Sequence, residues 1–218
     1  PLFVMLAGQY ARRTGDWALI QQIWPAIDLA IAWLETAGDA DGDGLIEYER
    51  AEQTGLANQG WKDSHDSVFH ADGSLAEGPI ALVEVQGYAY AARLEAAMCA
   101  ERLGFDRRSA DLLHQAKSLK ALFEKRFWCD EIGFYALALD GHKRPCQVRT
   151  SNPGHALWSG IMSDERAAHV ASTLMGGDFF SGWGVRTVAR GEARYNPMSY
   201  HNGSIWPHDN AILAQGLA

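Results

Sequence analysis

A chain of 218 residues is long enough to bury a substantial core and reads as one domain or a portion of a larger one. Its net charge of -8, with no run of Lys or Arg that would neutralise several phosphates in a row, argues against nucleic acid and anionic membrane as partners. Cys99, Cys129 and Cys146 are odd in number, far apart and without CxxC spacing, which indicates buried thiols and neither a disulfide framework nor a zinc site.

No basic leader followed by an apolar run opens the sequence and no apolar stretch approaches the length of a membrane span, so the expected compartment is the cytoplasm. The chain starts at Pro1 and stops at Ala218 inside what reads as a helix, and it is expected to be part of a longer protein. Eight Trp, seven Tyr and eight Phe beside 27 acidic residues suit a small neutral ligand such as a sugar. The C–H faces of a sugar stack on rings while its hydroxyls bond carboxylates and amides.

In chain order, 2–13 reads as a first helix. Trp17, Ile20, Trp24, Ile27, Ile31 and Leu34 recur at steps of three and four, the stripe of an amphipathic helix that kinks or restarts at Pro25. From Gly38 to Gly78 there is no helical period, and a loop that long in a compact domain is usually functional. Ile80, Val83, Gly87, Tyr90, Ala91, Leu94 and Met98 form a second stripe that closes near Gly104. Asp106 offers an N-cap to a third, carrying Leu113, Ala116, Leu119, Phe123 and Phe127. Shorter helices are expected over 155–161, 164–175 and 204–217, with hairpins around 133–140 and 184–189. Antiparallel helices joined by alternately short and long connections predict an all-α toroid of helical hairpins.

Asp39, Asp41 and Asp43 alternate before Gly44, the spacing with which a tight loop wraps oxygens around Ca²⁺, but Arg50 stands where an EF-hand needs a bidentate Glu. Ca²⁺ held with other ligands and a solvated acidic turn both fit, and no cofactor is required. Asn58-Gln59-Gly60-Trp61-Lys62-Asp63-Ser64-His65-Asp66 packs amides, a ring, a cation and two carboxylates into one loop. Glycoside cleavage needs one carboxylic acid to protonate the leaving oxygen and a second carboxylate on the other sugar face. Asp63, desolvated beside Trp61, fits that acid; by spacing alone it fits equally the cap of a helix starting at Ser64. An inward-pointing Lys62 would oppose its protonation. Glu84 and Gln86 open the second stripe, where they suit either a cavity that holds sugar hydroxyls or the exposed face of an ordinary helix, and Tyr48 is a similar candidate. Tyr200 to Asn210 and Ser151 to His155 place imidazoles and amides at helix N-termini. No HExxH, phosphate loop or GxSxG occurs.

Taken in order, Asp41-Gly42-Asp43-Gly44-Leu45, Asn58-Gln59-Gly60-Trp61-Lys62-Asp63-Ser64, Glu84-Val85-Gln86-Gly87-Tyr88, Ser181-Gly182-Trp183-Gly184-Val185-Arg186-Thr187 and Tyr200-His201-Asn202-Gly203-Ser204-Ile205-Trp206-Pro207 resemble bacterial proteins of the amylo-α-1,6-glucosidase (glycogen debranching) type. The resemblance runs over nearly the whole chain, and that family is similar to glucoamylases, trehalases and processing α-glucosidases. It implies an (α/α)6 barrel, about half of it within 1–218, and an inverting mechanism on α-glucosidic linkages of an oligosaccharide or small glucoside.

It further implies that Asp63 is the general acid, with Asp66 as second choice, and that the general base is a Glu beyond residue 218. The two carboxyls of an inverting enzyme stand roughly 6.5 to 9.5 Å apart. Tyr48, Asn58, Gln59, Trp61, Lys62, Glu84, Gln86, Tyr88, His201, Asn202 and Trp206 are the expected lining of a glucose pocket. A non-catalytic carbohydrate-binding helical domain is one alternative, and a sugar epimerase with paired His groups is another. An isoprenoid cyclase fits less well, because Asp39, Asp41 and Asp43 are interleaved with turn glycines.

Overall fold

The computed structural model describes residues 1–52 and 54–218. Helices α1 (Leu2–Thr14) and α2 (Trp17–Leu34) come first; Gly15, at a positive φ, ends the former, and the Asp16 carboxylate caps the latter by accepting the Leu19 N–H at 3.1 Å. Pro25 lies inside α2 and neither ends nor restarts it. Contrary to the expectation from sequence, α2 has the length and mean hydropathy (1.2) of a membrane span. Its Ile20, Ile27, Ile31 and Leu34 are buried in the main core.

The connection 35–82 ends in β1 (Ala81–Leu82), followed by α3 (Val83–Arg102) and α4 (Asp106–Arg126). The expected hairpin over 133–140 is divided between two small sheets. Strands β2 (Trp128–Cys129) and β3 (Phe134–Tyr135) pair with each other, whereas β4 (Ala138–Leu139) pairs antiparallel with β1, Ala81 opposite Leu139. Around 184–189 there are isolated bridges, Thr150 with Val188 and Phe180 with Val185, in place of a hairpin. Helices α5 (Asn152–Ser159), α6 (Asp164–Leu174) and α7 (Pro207–Leu217) complete the described elements.

Helices α1, α3, α5 and α7 are neighbours in that order, while α2, α4 and α6 back α1, α3 and α5. The result is an arc of three helical hairpins and a seventh helix, about half of an (α/α)6 toroid. Turns 15–16, 103–105 and 160–163 join each inner helix to its outer partner, and connections 35–82, 127–151 and 175–206 return from outer to inner. Because successive helices are antiparallel, all the long connections gather at one end, over the first turns of α3, α5 and α7.

Sequence periodicity found most of the buried face of α2 and of α4 but not the extent of burial of α3. Asp106 sits in the first turn of α4 without capping it, and the buried face runs through Ser109, Leu112, Ala116, Leu119 and Phe123, leaving Leu113 exposed. In α3 the buried residues include Glu84, Gln86, Tyr88 and Arg93 among alanines, because α1, α4 and α5 pack on this helix from three sides. Gly87 makes the close approach of α5 possible: a Cβ there would lie 3.0 Å from the Ala156 Cα of α5 and 2.7 Å from the Ser159 Oγ. Gly87→Ala should therefore lower the free energy of unfolding in urea. Overpacking costs roughly 1–3 kcal/mol, against a helix-propensity gain of about 1 kcal/mol. A stabilised variant would show that α3 and α5 are not in such close contact.

Candidate active site

At the long-connection end, the loop through Asn58–Ser67 crosses the first turns of α3 and α5. Gly60 makes the crossing possible, since a Cβ there would come within 2.4 Å of the Leu82 side chain. Trp61 lands with its ring parallel to that of His155, centroids 5.6 Å apart, while His208 and Trp206 meet it edge-on at 4.8 and 6.3 Å. Together with Ile46, Tyr48, Gln59, Leu82, Glu84, Tyr88 and, on the α1 side, Leu2 and Phe3, Trp61 lines a largely apolar cavity of about 650 Å³.

The polar groups of this cavity come mainly from the inner helices. Glu84 is 1% exposed; Oε1 accepts from the Asn152 side-chain amide of α5 at 3.0 Å, and Oε2 is buried with no partner among the described residues. Burial pushes its carboxyl above the ordinary value, against the opposing influence of His155 and Asn152. One turn on, the Tyr88 hydroxyl is hydrogen-bonded to His155 Nδ1, and His155 Nε2 lies 2.7 Å from Asp209 Oδ1 in the first turn of α7. The Trp61 indole N–H is likewise buried and unpartnered. Trp61 and Glu84 thus bring one donor and one acceptor, neither satisfied by the protein, to the wall of a single cavity.

The cavity gathers Tyr48, Gln59, Trp61, Glu84 and Tyr88 from the residues that sequence proposed for it. Others serve the loop itself. Asn58 accepts from the Tyr48 hydroxyl at 2.8 Å and donates to the Ser64 carbonyl at 2.7 Å. The Gln86 amide is taken up by backbone: Nε2 donates to the Ile46 carbonyl at 2.7 Å, and Oε1 accepts the Ile46 N–H at 2.9 Å. Gln86 is fully buried and turned away from the cavity toward the loop start, which corrects its expected place in the lining. Lys62 also points inward, to the Thr187 carbonyl at 2.7 Å, and burial pushes its ammonium down to about 8 despite nearby Asp209 and Glu84.

Asp63 caps no helix, for none starts at Ser64. Its side chain is 52% exposed, not desolvated by Trp61, and Oδ1 stands 3.9 Å from His201 Nδ1. Beside it, His201 Nδ1 pairs with the Ser64 hydroxyl at 2.9 Å, and the Asn202 amide donates to Asp66 Oδ2 at 3.0 Å. Burial, helped by the charge of Lys62, holds the His201 imidazole below its ordinary value. Asp63, Asp66, His201 and Asn202 therefore form a second cluster joined to the cavity through Trp61, whose ring meets His201 edge-on at 5.6 Å. The Trp206 indole N–H donates to the Tyr200 carbonyl at 2.8 Å.

The carboxylates of Asp39, Asp41 and Asp43 converge to within 4.8 Å of one another. The Lys143 ammonium sits on two of them, 2.8 Å from Asp41 and 2.9 Å from Asp43, and on Glu47. Burial works against that ammonium, yet its bonds to Asp41, Glu47 and Asp43 together hold it above the ordinary lysine value. Lys143 reaches them from the turn after β4, shaped by Asp140 accepting the N–H groups of His142 and Arg144 at 2.9 Å. Neither Lys143 nor the pair His155 and Asp209 stood out in the sequence as a named site residue. The only signal for the pair was the clustering of imidazoles and acids at two helix N-termini.

An arc of paired helices with a ring-lined, polar-edged cavity at its long-connection end places the chain in the class of helical toroids. The model of the mannosylglycerate hydrolase MGH1-like glycoside hydrolase domain matches residues 1–218, and the chain belongs to that family. No curated protein sequence matches it. Among solved structures, the GH63 mannosylglycerate hydrolase of Thermus thermophilus in complex with Tris is similar at TM-score 0.73 and 15% identity, over 98% of this chain and 62% of that one. The GH78 family rhamnosidase of Bacillus sp. GL1 is similar at TM-score 0.61 and 19% identity, over 80% and 17%. Neutral trehalase Nth1 of Saccharomyces cerevisiae is similar at 0.56 and 18%, over 72% and 30%. At such identities these likenesses show a common fold, and the chain spans less than two thirds of each neighbour's length.

Lys62 makes this site sensitive to pH. Below about pH 8 it is charged in folded and unfolded chains alike, and the fold carries the full cost of burying it. Between there and the ordinary 10.5 the folded chain has released the proton while the unfolded chain keeps it, so stability rises with pH across that window. Urea unfolding at pH 7.5 and pH 10 should show wild type gaining on Lys62→Met by up to about 3 kcal/mol. A constant difference would mean that the ammonium is not withdrawn from water.

Proposed function

We propose that the protein containing this chain hydrolyses α-glucosidic linkages of an oligosaccharide or small glucoside, with inversion. Membership in a glycoside hydrolase family supports the reaction class. The observation that carries the ligand class is the cavity of about 650 Å³, walled by Trp61 and edged by the unpartnered Glu84 Oε2 and Trp61 N–H. A ring face for sugar C–H groups, with an acceptor and a donor at its margin, is what a hexose uses, and a buried polar atom left unpaired calls for a ligand that pairs it. A mannosylglycerate hydrolase neighbour from Thermus thermophilus was solved in complex with glucose, which accords with a hexose-sized site. The ordered motifs favour an α-glucoside, with amylo-α-1,6-glucosidase-like specificity.

In this mechanism Asp63 protonates the departing oxygen and a carboxylate outside residues 1–218 activates water on the opposite face. Asp63 and Trp61 both meet His201, the carboxyl at 3.9 Å and the ring edge-on at 5.6 Å, which supports an acid beside a sugar on the Trp61 ring. The open position of Asp63 and its absence from the cavity lining favour a second reading, a domain that binds sugar without turnover. Product analysis separates the two.

In the full-length protein, Asp63→Asn should cut kcat on an unactivated α-glucoside by about 10²- to 10⁴-fold while leaving substrate affinity intact. It should spare hydrolysis of α-glucosyl fluoride, whose leaving group needs no protonation. Near-normal turnover of the unactivated substrate would remove Asp63 from the role. For the acidic turn, the proposal is that Lys143 neutralises Asp41 and Asp43 in place of Ca²⁺. A chelator should then leave the melting temperature of wild type unchanged, while Lys143→Met should lower stability by roughly 1–2 kcal/mol and make it respond to added Ca²⁺. A drop in the wild-type melting temperature on chelation would restore the metal.

A further inference from the structure

The hydrogen-bonded chain Tyr88–His155–Asp209 joins three inner helices, α3, α5 and α7, directly beneath Trp61. Each member is at least nine-tenths buried, with His155 at 1% and Asp209 at 0% exposure. The order of partners restricts where the hydrogens can be. An ionised carboxylate only accepts, so Asp209 requires a hydrogen on His155 Nε2. The state of Nδ1 follows from the charge balance around the ring. Lys62 supplies one wholly buried positive charge within range of Asp209 and Glu84. Lys62 already stands as the buried counter-charge to Asp209, and an imidazolium would be a second cation out of water. A neutral His155 with its hydrogen on Nε2 has a lone pair on Nδ1, and Tyr88 must spend its only proton there. Tyr88 lines the cavity, so its oxygen is left as an acceptor toward a ligand.

We propose that Asp209 and His155 are positioning residues that fix Tyr88 as a hydrogen-bond acceptor for one hydroxyl of a sugar lying on Trp61. This rests on the sugar-pocket reading and extends it, since it says which polarity of ligand group the site selects beside Tyr88. His155 has a second duty in the same arrangement: its ring, parallel to Trp61 at 5.6 Å, supports the platform from below. Asp209→Asn nearly preserves shape but reverses the chain. The amide N–H of the new side chain donates to Nε2, the imidazole hydrogen moves to Nδ1 and points at the Tyr88 oxygen, and the Tyr88 proton turns to the cavity.

The test combines a spectroscopic and a binding measurement on the full-length protein. Long-range ¹H–¹⁵N correlation of the histidine rings at neutral pH should show His155 as the neutral Nε2–H tautomer in wild type and as Nδ1–H in Asp209→Asn. An imidazolium or an Nδ1–H ring in wild type, or an unchanged tautomer in the variant, overturns the proposal. Calorimetry with glucose as probe should show Asp209→Asn and Tyr88→Phe each weakening binding roughly tenfold, and the double variant no weaker than either. Unchanged affinity in both single variants, or losses that add in the double variant, overturns it as well. Tyr88→Phe removes the hydroxyl alone and keeps the binding arm decisive should Asp209→Asn fail to fold. If wild type binds neither glucose nor maltose, the sugar-pocket reading falls and the assigned ligand with it, while the ring spectra still decide the hydrogen positions.

Discussion

Helix α3 is held by α1, α4 and α5, with its backbone as near to α5 as Gly87 allows, and that grip decides what its first turns can do. A helix packed on three sides has almost no solvent face to which polar side chains can retire. Each one must either satisfy itself on nearby backbone or open onto an interior space. Gln86 takes the first course, bonding the start of the long loop at Ile46, and Glu84 and Tyr88 take the second. The antiparallel order of the helices then puts all the long connections over the same end, so the cavity acquires its walls from segments far apart in sequence.

Those connections build two apolar clusters of their own, one around Val68, Ile80, Leu137 and Cys146 and one of Phe69, Val148 and Val188, and they are also tied together electrostatically. Lys62 reaches across 125 positions to the Thr187 carbonyl, fastening the first long loop to the third. Lys143 fastens the turn after β4 to the acidic turn that precedes Glu47 and Tyr48, two cavity residues. The Lys143 ammonium is matched by three carboxylates, the condition under which a charge withdrawn from water is tolerated, whereas the wholly buried Lys62 has one carbonyl and its ammonium is pushed down.

The helices were legible because a period of 3.6 in apolar residues survives without knowledge of neighbours. The expected spans for α1, α2 and α4 and the helix-free stretch before β1 agree with the structure closely. The burial of α3 was not legible in the same way. A helix surrounded by others loses its amphipathic stripe, and Glu84, Gln86 and Arg93 then look like surface residues among alanines. The loop Asn58–Asp66 stood out by its chemistry, but density of functional types does not say which side chains support the loop and which face a ligand. Asn58, Gln86 and Lys62 proved to be supports, and Asp63 stands half in solvent where desolvation by Trp61 was expected.

By itself the sequence determined the elements, the alternation of short and long connections and the segments from which a site is made, all properties carried by local pattern. Only the tertiary structure decided the partners: Lys143 for the aspartates, His155 for Tyr88 and Trp61, Asp209 for His155. Pairings between residues dozens of positions apart depend on how helices pack and where loops cross, and that information resides in the burial of whole faces, not in any stretch of sequence that can be read alone.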